Sequence, residues 1–235
     1  LVVLGTPGES FAGYQGSAHA WLWDGALWRD TGLHQTFRLG GAAVRWRGHL
    51  VLATDGLVTL EGSGIGLGDG DVAALAVYHD RLIACGNFQH IGGVECNFIA
   101  AWDGVSWRPL NFGLGGSAIC MAVYEDELVV GGTFQVADGQ LVRSIARWNG
   151  ARWAHLGTGF GINPPDRLDP WDDPVARVMA LVPWGNRLVA VGRFDEADGP
   201  VATNIAVWDG LFWHPLAAGT GREPLAALPE EEGLW

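Results

Sequence analysis

Apolar residues in this chain run together or alternate over four to seven positions and then stop at a turn, as in Ala74 to Tyr78, Leu82 to Phe88 and Phe98 to Trp102. No stretch repeats its apolar positions at three- and four-residue intervals, so the pattern predicts strands and no amphipathic helix. Continuous short runs of this kind suit strands covered on both faces. The turns between them are rich in Gly, Asp and Asn, the residues that tolerate positive φ.

The strand pattern is periodic. One copy reads VAALAVYHDRLIACGNFQHIGGVECNFIAAWDG from Val72, a second ICMAVYEDELVVGGTFQVADGQLVRSIARWNG from Ile119, and a third VMALVPWGNRLVAVGRFDEADGPVATNIAVWDG from Val178. Each divides into four runs. In the copy at Val72 they are Ala74 to Tyr78, Leu82 to Phe88, Phe98 to Trp102 and a final strand at Trp107, joined by the turn His79 to Arg81, the loop Gln89 to Glu95 and the pair Asp103-Gly104. A four-stranded meander is expected in each copy. Asp24-Gly25, Asp103-Gly104, Asn149-Gly150 and Asp209-Gly210 recur between the third and fourth runs and predict two-residue type I′ hairpins. A Trp precedes each pair (Trp23, Trp102, Trp148, Trp208) and another follows it (Trp28, Trp107, Trp153, Trp213), which assigns these eight indoles to packing.

Tandem four-stranded units of about 46 residues, each covering its neighbour, form an array or close into a ring. The expected fold is all-β, a five-bladed β-propeller of four-stranded antiparallel blades in a single domain spanning 1–235. The blades are 222–235 with 1–38, then 39–70, 71–116, 117–175 and 176–221. The second is short: Ala42 to Trp46 and His49 to Thr54 match the first two strands, and Asp55-Gly56 with Leu57 to Gly64 resembles the last hairpin, as though the middle were deleted. The first blade has a second strand at Leu1 to Gly5 and lacks a first, while Pro224 to Trp235 resembles a first strand and its turn. Closure of the ring by that segment is expected, with truncation of a longer array as the alternative.

Fourteen basic against twenty-six acidic residues give a formal charge of −12, which disfavours nucleic acid and anionic membrane surfaces as partners. No apolar run approaches the roughly 18 residues that span a bilayer, and no secretory leader is recognisable at the start. Cys85, Cys96 and Cys120 are read as thiols. A Cys85–Cys96 disulfide is the alternative, disfavoured because a hairpin centred near Gly92 sets Cys96 opposite Phe88.

The segments ALAVYHDRLIACGNFQHIGG, IAAWDG and SWRPL resemble the repeat of bacterial and fungal surface-associated propellers of the Kelch and galactose-oxidase-like group. The resemblance covers three copies well and the first part loosely. It implies the propeller fold and an extracytoplasmic or secreted setting. It implies no copper site: the chain has only Tyr14, Tyr78 and Tyr124, and Tyr78 and Tyr124 share a repeat position where packing suffices.

Candidate chemistry lies where the repeat is broken. The connection Gly161 to Val175, GINPPDRLDPWDDPV, is longer than its counterparts, and connections between blades gather on the rim where function concentrates. Its Asp166, Asp169, Asp172 and Asp173 are candidate ligand-binding carboxylates. Asp169, Asp172 and Asp173 are also weak calcium candidates, although no EF-hand spacing is present. Trp171 is a stacking surface for a sugar or a partner side chain. A solvated loop stiffened by Pro164, Pro165, Pro170 and Pro174 is the competing reading. Ala-Asp-Gly recurs at Ala137 to Gly139 and Ala197 to Gly199 and reads as turn chemistry, with His90 in the matching loop a further candidate on the same rim. His155 and His214 follow the second Trp of their copies and are expected at equivalent outer-strand positions. No nucleophile elbow or zinc motif is present, so a catalytic residue is not assigned. The expectation is a non-catalytic module holding a carbohydrate or protein segment, as a monomer or within a larger assembly. The alternatives are a structural scaffold and a hydrolase at the central channel.

Overall fold

The computed structural model describes strands 2–5, 16–23, 28–37, 229–230 and 233–234 by their backbone, and residues 42–162 and 175–216 in fuller detail. The described residues are all β: antiparallel sheets joined by turns, with no helix. The chain divides into two compact units, Leu1–Pro109 and Leu110–Trp235, each described by itself.

In the first unit, strands Val2–Gly5, Gly16–Trp23 and Trp28–Phe37 form a three-stranded sheet in chain order. Trp23 pairs with Trp28 there. The next sheet has four strands, Ala42–Trp46, His49–Thr54, Leu57–Leu60 and Ser63–Leu67, again in order. The third runs Val72–Tyr78, Arg81–Gly86, Ile99–Trp102 and Trp107–Pro109. In the second unit the same meander appears twice: Ala118–Tyr124, Glu127–Gly132, Ile145–Trp148 and Trp153–His155, then Arg177–Trp184, Arg187–Arg193, Ile205–Trp208 and Trp213–Pro215.

The apolar runs bury themselves between successive sheets. One core joins Trp46, Val51 and Val58 of the second sheet to Leu82, Ala84, Phe88 and Trp107 of the third. Another joins Val129 and Ile145 to Val178, Leu188, Phe194 and Trp213, with Phe160 between them. Phe88, Phe134 and Phe194 follow the ends of their second strands at one repeat position and are all fully buried. The glycine two residues earlier is needed for close approach: a Cβ on Gly86, Gly132 or Gly192 would lie 2.0, 2.2 or 2.0 Å from the carbonyl oxygen of Asp71, Ser117 or Arg177.

Several expectations are corrected in detail. The Trp pairs are opposite one another in register, so each Asp-Gly or Asn-Gly pair begins a four-residue loop and is not a two-residue turn. Gly104, Gly150 and Gly210 do have positive φ, whereas the preceding Asp or Asn does not. Its carboxylate or amide oxygen instead accepts two backbone N–H groups, as Asp103 does from Val105 and Ser106, both at 2.9 Å. Asp24-Gly25 lies outside the described residues. Two-residue turns with both central φ positive occur at Arg47-Gly48, Asp55-Gly56, His79-Asp80, Glu125-Asp126, Asp138-Gly139 and Asp198-Gly199.

The short second repeat keeps all four strands. Asp55-Gly56 joins its second and third strands, Glu61-Gly62 its third and fourth, and only the long second-to-third loop is missing. Cys96 is opposite Gln89, not Phe88, with its N–H on the Gln89 carbonyl at 2.8 Å. All three cysteines are thiols. The expected pairing of the C-terminal segment with the first sheet does not appear among the described strands: Pro229–Glu230 pairs with Gly233–Leu234, and Val2–Gly5 pairs only with Gly16–Trp23.

Candidate functional site

The loop between second and third strands folds back as a small hairpin. His90–Ile91 pairs with Val94–Glu95, and Val136–Ala137 with Gln140–Leu141. Glu196 and Val201 form the matching bridge. Each hairpin then pairs with the connector that leaves the preceding repeat: Ile91 with Gly68, Ala137 with Leu114 and Ala197 with Phe160. Connectors and hairpins therefore pair outside the four-stranded sheets, along a common edge of the repeats.

The recurring Ala-Asp-Gly belongs to this edge. Ala137 and Ala197 are buried against the connector. Asp138 takes positive φ in the turn and accepts from the Phe112 N–H at 3.3 Å and the Asn111 amide at 3.2 Å. Asp198 accepts from the Thr158 N–H and hydroxyl and, at 2.7 Å, from the Trp213 N–H. These carboxylates pin the edge. In the first unit the roles are exchanged: Asp69 on the connector accepts from the N–H groups of Gln89 and His90 at 2.8 and 2.9 Å, with the His90 Nδ1 2.8 Å from its other oxygen. The His90 N–H, then its imidazole, and the Gln89 N–H hold the Asp69 carboxyl at about 2, below its ordinary value of 3.8. His90 thus serves the scaffold through Asp69 while its side chain stays half exposed.

In the second unit the edge opens into a cleft of about 460 Å³, lined by Leu141, Arg143, His155, Thr158, Glu196 and the edge glycines. Leu141 and Arg143 come from the hairpin of one repeat, His155 from that repeat's last strand, and Glu196 from the hairpin of the next. The connector Gly157 to Gly161 forms the floor. Gly157 and Gly159 have φ of +66° and +81°, and a Cβ on Gly159 would lie 2.6 Å from the carbonyl oxygens of both Val142 and Arg143. Bare backbone is therefore the surface that the cleft presents at its base.

Arg143, His155 and Glu196 surround this floor with groups of both signs. Among the described residues none of the three side chains makes a hydrogen bond or ion pair. Arg143 also takes a left-handed backbone, φ +47°, where an arginine is uncommon. Leu141 is 65% exposed at the lip, and Val201, at the equivalent position of the next hairpin, is 69% exposed.

Of the residues expected from sequence, Trp171, Asp166, Asp169, Asp172 and Asp173 lie outside the described residues, and His90 belongs to the first unit. Among the described residues no group of three His, Cys, Asp or Glu side chains is placed to hold a metal ion. His155 and His214 are not equivalent: His155 is opposite Ala146, whereas Pro215 is opposite Ala206 and His214 is one step earlier, opposite Val207. His214 instead pairs with Asp209 at 2.7 Å. Leu141, Arg143 and Glu196 were not singled out from sequence. The signal that finds them is departure from the repeat, because Asn97 holds the position of Arg143, Pro109 and Pro215 that of His155, and Val136 that of Glu196.

No family model and no curated protein matches the chain. A solved structure described as the crystal structure of the computationally designed Ika4 protein is similar over 71% of this chain and 88% of that chain, at 16% identity and a TM-score of 0.36. A likeness of that size assigns neither activity nor ligand.

Proposed function

We propose that the protein is a non-catalytic binding module whose repeats are the five blades of a propeller, and that its connector edge holds a segment of a partner protein. The observation that carries this reading is the cleft of Arg143, His155 and Glu196 over a glycine floor, at the edge where connectors and hairpins meet. Exposed Leu141 and Val201 beside it favour a protein over a sugar. An apolar lip next to an arginine is the composition of a protein interface, and among the described lining residues there is no Trp, Tyr or Phe to offer a sugar a stacking face. The likeness of the repeat to Kelch-type sequences supports the blade arrangement, as does the side-by-side packing of successive sheets within each unit.

The test is binding of the intact chain to a random-peptide array and a glycan array, repeated with Gly161→Phe. Gly161 has no positive φ, and the atoms nearest a Cβ there all belong to the Glu196 side chain, its Oε2 at 3.1 Å and its Cβ at 3.7 Å, so a ring can occupy the cleft by displacing that carboxylate, at little cost to the fold. Peptide binding that falls about tenfold in the variant, a change of about 1.4 kcal/mol, supports the proposal. Peptide binding that Gly161→Phe leaves unchanged removes the cleft. Binding to glycans alone replaces the protein segment with a carbohydrate.

A second reading, a scaffold, is favoured by Leu211 and Phe212, adjacent in one loop at 72% and 60% exposure. Partner capture lost on Leu211→Ser with Phe212→Ser, but kept on Gly161→Phe, would select it.

A further inference from the structure

The two halves of the cleft carry opposite charge, and among the described residues no side chain neutralises them. Arg143, with the imidazole of His155, stands on the side built by one repeat. Glu196 stands on the side built by the next. Glu196 follows directly in register on the connector, opposite Gly161. The other carboxylate in the lining, Asp198, is already occupied by Thr158 and Trp213 and is not available to a ligand.

The neighbouring connector of the same unit supplies an internal control, because it has the same backbone plan. It pairs with its hairpin through Leu114 and Ala137 as the cleft's connector does through Phe160 and Ala197. At that connector Asn111 stands in place of Gly157, and its amide reaches both the Asp138 carboxylate and the Ala151 carbonyl, each at 3.2 Å. Phe112 stands in place of Thr158, and Val136 in place of Glu196. The equivalent surface thus carries an amide and an exposed phenyl ring in place of glycine and threonine, and has no charge where Glu196 stands. Five departures from the repeat, at 143, 155, 157, 158 and 196, fall on one cleft and change it in one direction, toward open space and unpaired charge.

We infer that this cleft recognises a dipolar peptide segment, seating a carboxylate against Arg143 and His155 and an ammonium or guanidinium group against Glu196, in one fixed chain order. This deepens the proposed binding role and rests on it. A planar guanidinium grips a carboxylate through paired hydrogen bonds. The glycine connector leaves space for the main chain of the segment between the two charges, while Leu141 covers an apolar residue at the lip. Groups of opposite sign on opposite walls select orientation: the reversed segment places like charge against like on both sides.

The probe is an array of nine-residue peptides on an alanine, glycine and leucine background. Each carries one Asp and one Lys separated by one to four residues, in both orders, with uncharged analogues. The intact protein should prefer one order over the other and over the uncharged set by about fivefold or more, as charge pairs at a partly exposed site allow. Arg143→Ala should abolish the dependence on Asp, and Glu196→Gln the dependence on Lys. The double exchange Arg143→Glu with Glu196→Arg should invert the preferred order, a result that loss of folding does not produce. Circular dichroism and thermal unfolding of each variant establish that the sheets are intact. Peptide binding that is indifferent to charge and order, yet sensitive to Gly161→Phe, overturns this inference and leaves the protein-segment reading standing. Absence of binding to every charged and random peptide overturns both.

Discussion

The indole N–H of Trp213 donates to the backbone carbonyl of Leu156 at 3.0 Å, a bond between the last strand of one repeat and the connector leaving the repeat before it. Trp153 makes the same bond to Leu110 at 2.9 Å, and Trp107 makes one to Ile65 at 2.8 Å. A second row of stitches uses the aromatic residue that ends a first strand: Trp46 donates to the Asp80 carbonyl at 2.9 Å, and Tyr124 to the Asn186 carbonyl at 2.7 Å. Within each unit these directional bonds add to the apolar contact between the elements they join.

Trp213→Phe keeps most of the ring but leaves a buried carbonyl without its donor. The expected cost is about 1–3 kcal/mol. Trp213→Ala, which also opens a cavity beside Phe160, should cost about 3–5 kcal/mol. Urea unfolding followed by circular dichroism measures both, and a Trp213→Phe loss close to zero would show that the hydrogen bond contributes nothing.

Gly159 and Gly139 have nearly the same φ, +81° and +79°, but only Gly159 is crowded; a Cβ on Gly139 meets nothing within 4 Å. Gly139→Ala should therefore cost about 1 kcal/mol, from left-handed backbone alone. Gly159→Ala should cost roughly 3 kcal/mol, since two carbonyls must also move. Similar unfolding midpoints for the two variants would contradict the close packing of the cleft floor.

The Asp209 carboxyl is held at about 2, below its ordinary 3.8, by the N–H groups of Phe212 and Leu211 and then by the His214 imidazole. A depressed folded-state value means that its contribution is complete above about 4 and is lost as the pH falls toward 2. Asn149 fills the same turn with an amide, accepting from Ala151 and Arg152 at 3.0 Å. Asp209→Asn should therefore fold normally at neutral pH and show a shallower loss of stability between pH 4 and 2. An unchanged acid limb would remove Asp209 from the linkage.

Burial pushes the Cys96 thiol up to about 11 and the Cys120 thiol up to about 12. Their sulfurs lie against the backbone, Cys96 3.3 Å from the Val94 carbonyl and Cys120 3.7 Å from that of Val178. Native protein at pH 8 should react negligibly with a thiol reagent at either residue, and denatured protein should react at all three cysteines. Mass spectrometry after brief alkylation reads this site by site; rapid native labelling of Cys120, which is partly buried, would contradict its raised thiol pKa.

The periodic sequence already contained the sheets. Runs of four to seven apolar residues between Gly and Asp turns allow only short, doubly covered strands, and the matched pairs Trp102 and Trp107, Trp148 and Trp153, Trp208 and Trp213 marked the last hairpins. The repeated Phe88, Phe134 and Phe194 likewise announced a shared core. These features are local or periodic, and strand formation from such patterns depends on near neighbours.

What only the tertiary structure decided is which exceptions meet. The turn dipeptides were visible, yet the loop length was set by cross-strand pairing of the tryptophans, whose rings sit 5.3 to 5.5 Å apart. Arg143, His155 and Glu196 are spread over two repeats and looked like ordinary surface variation. They converge because a connector pairs with the hairpin of the next repeat, through Phe160 and Ala197. Repetition encodes the scaffold in near-neighbour rules, whereas the cleft depends on contacts between residues up to 40 positions apart, which no local pattern contains.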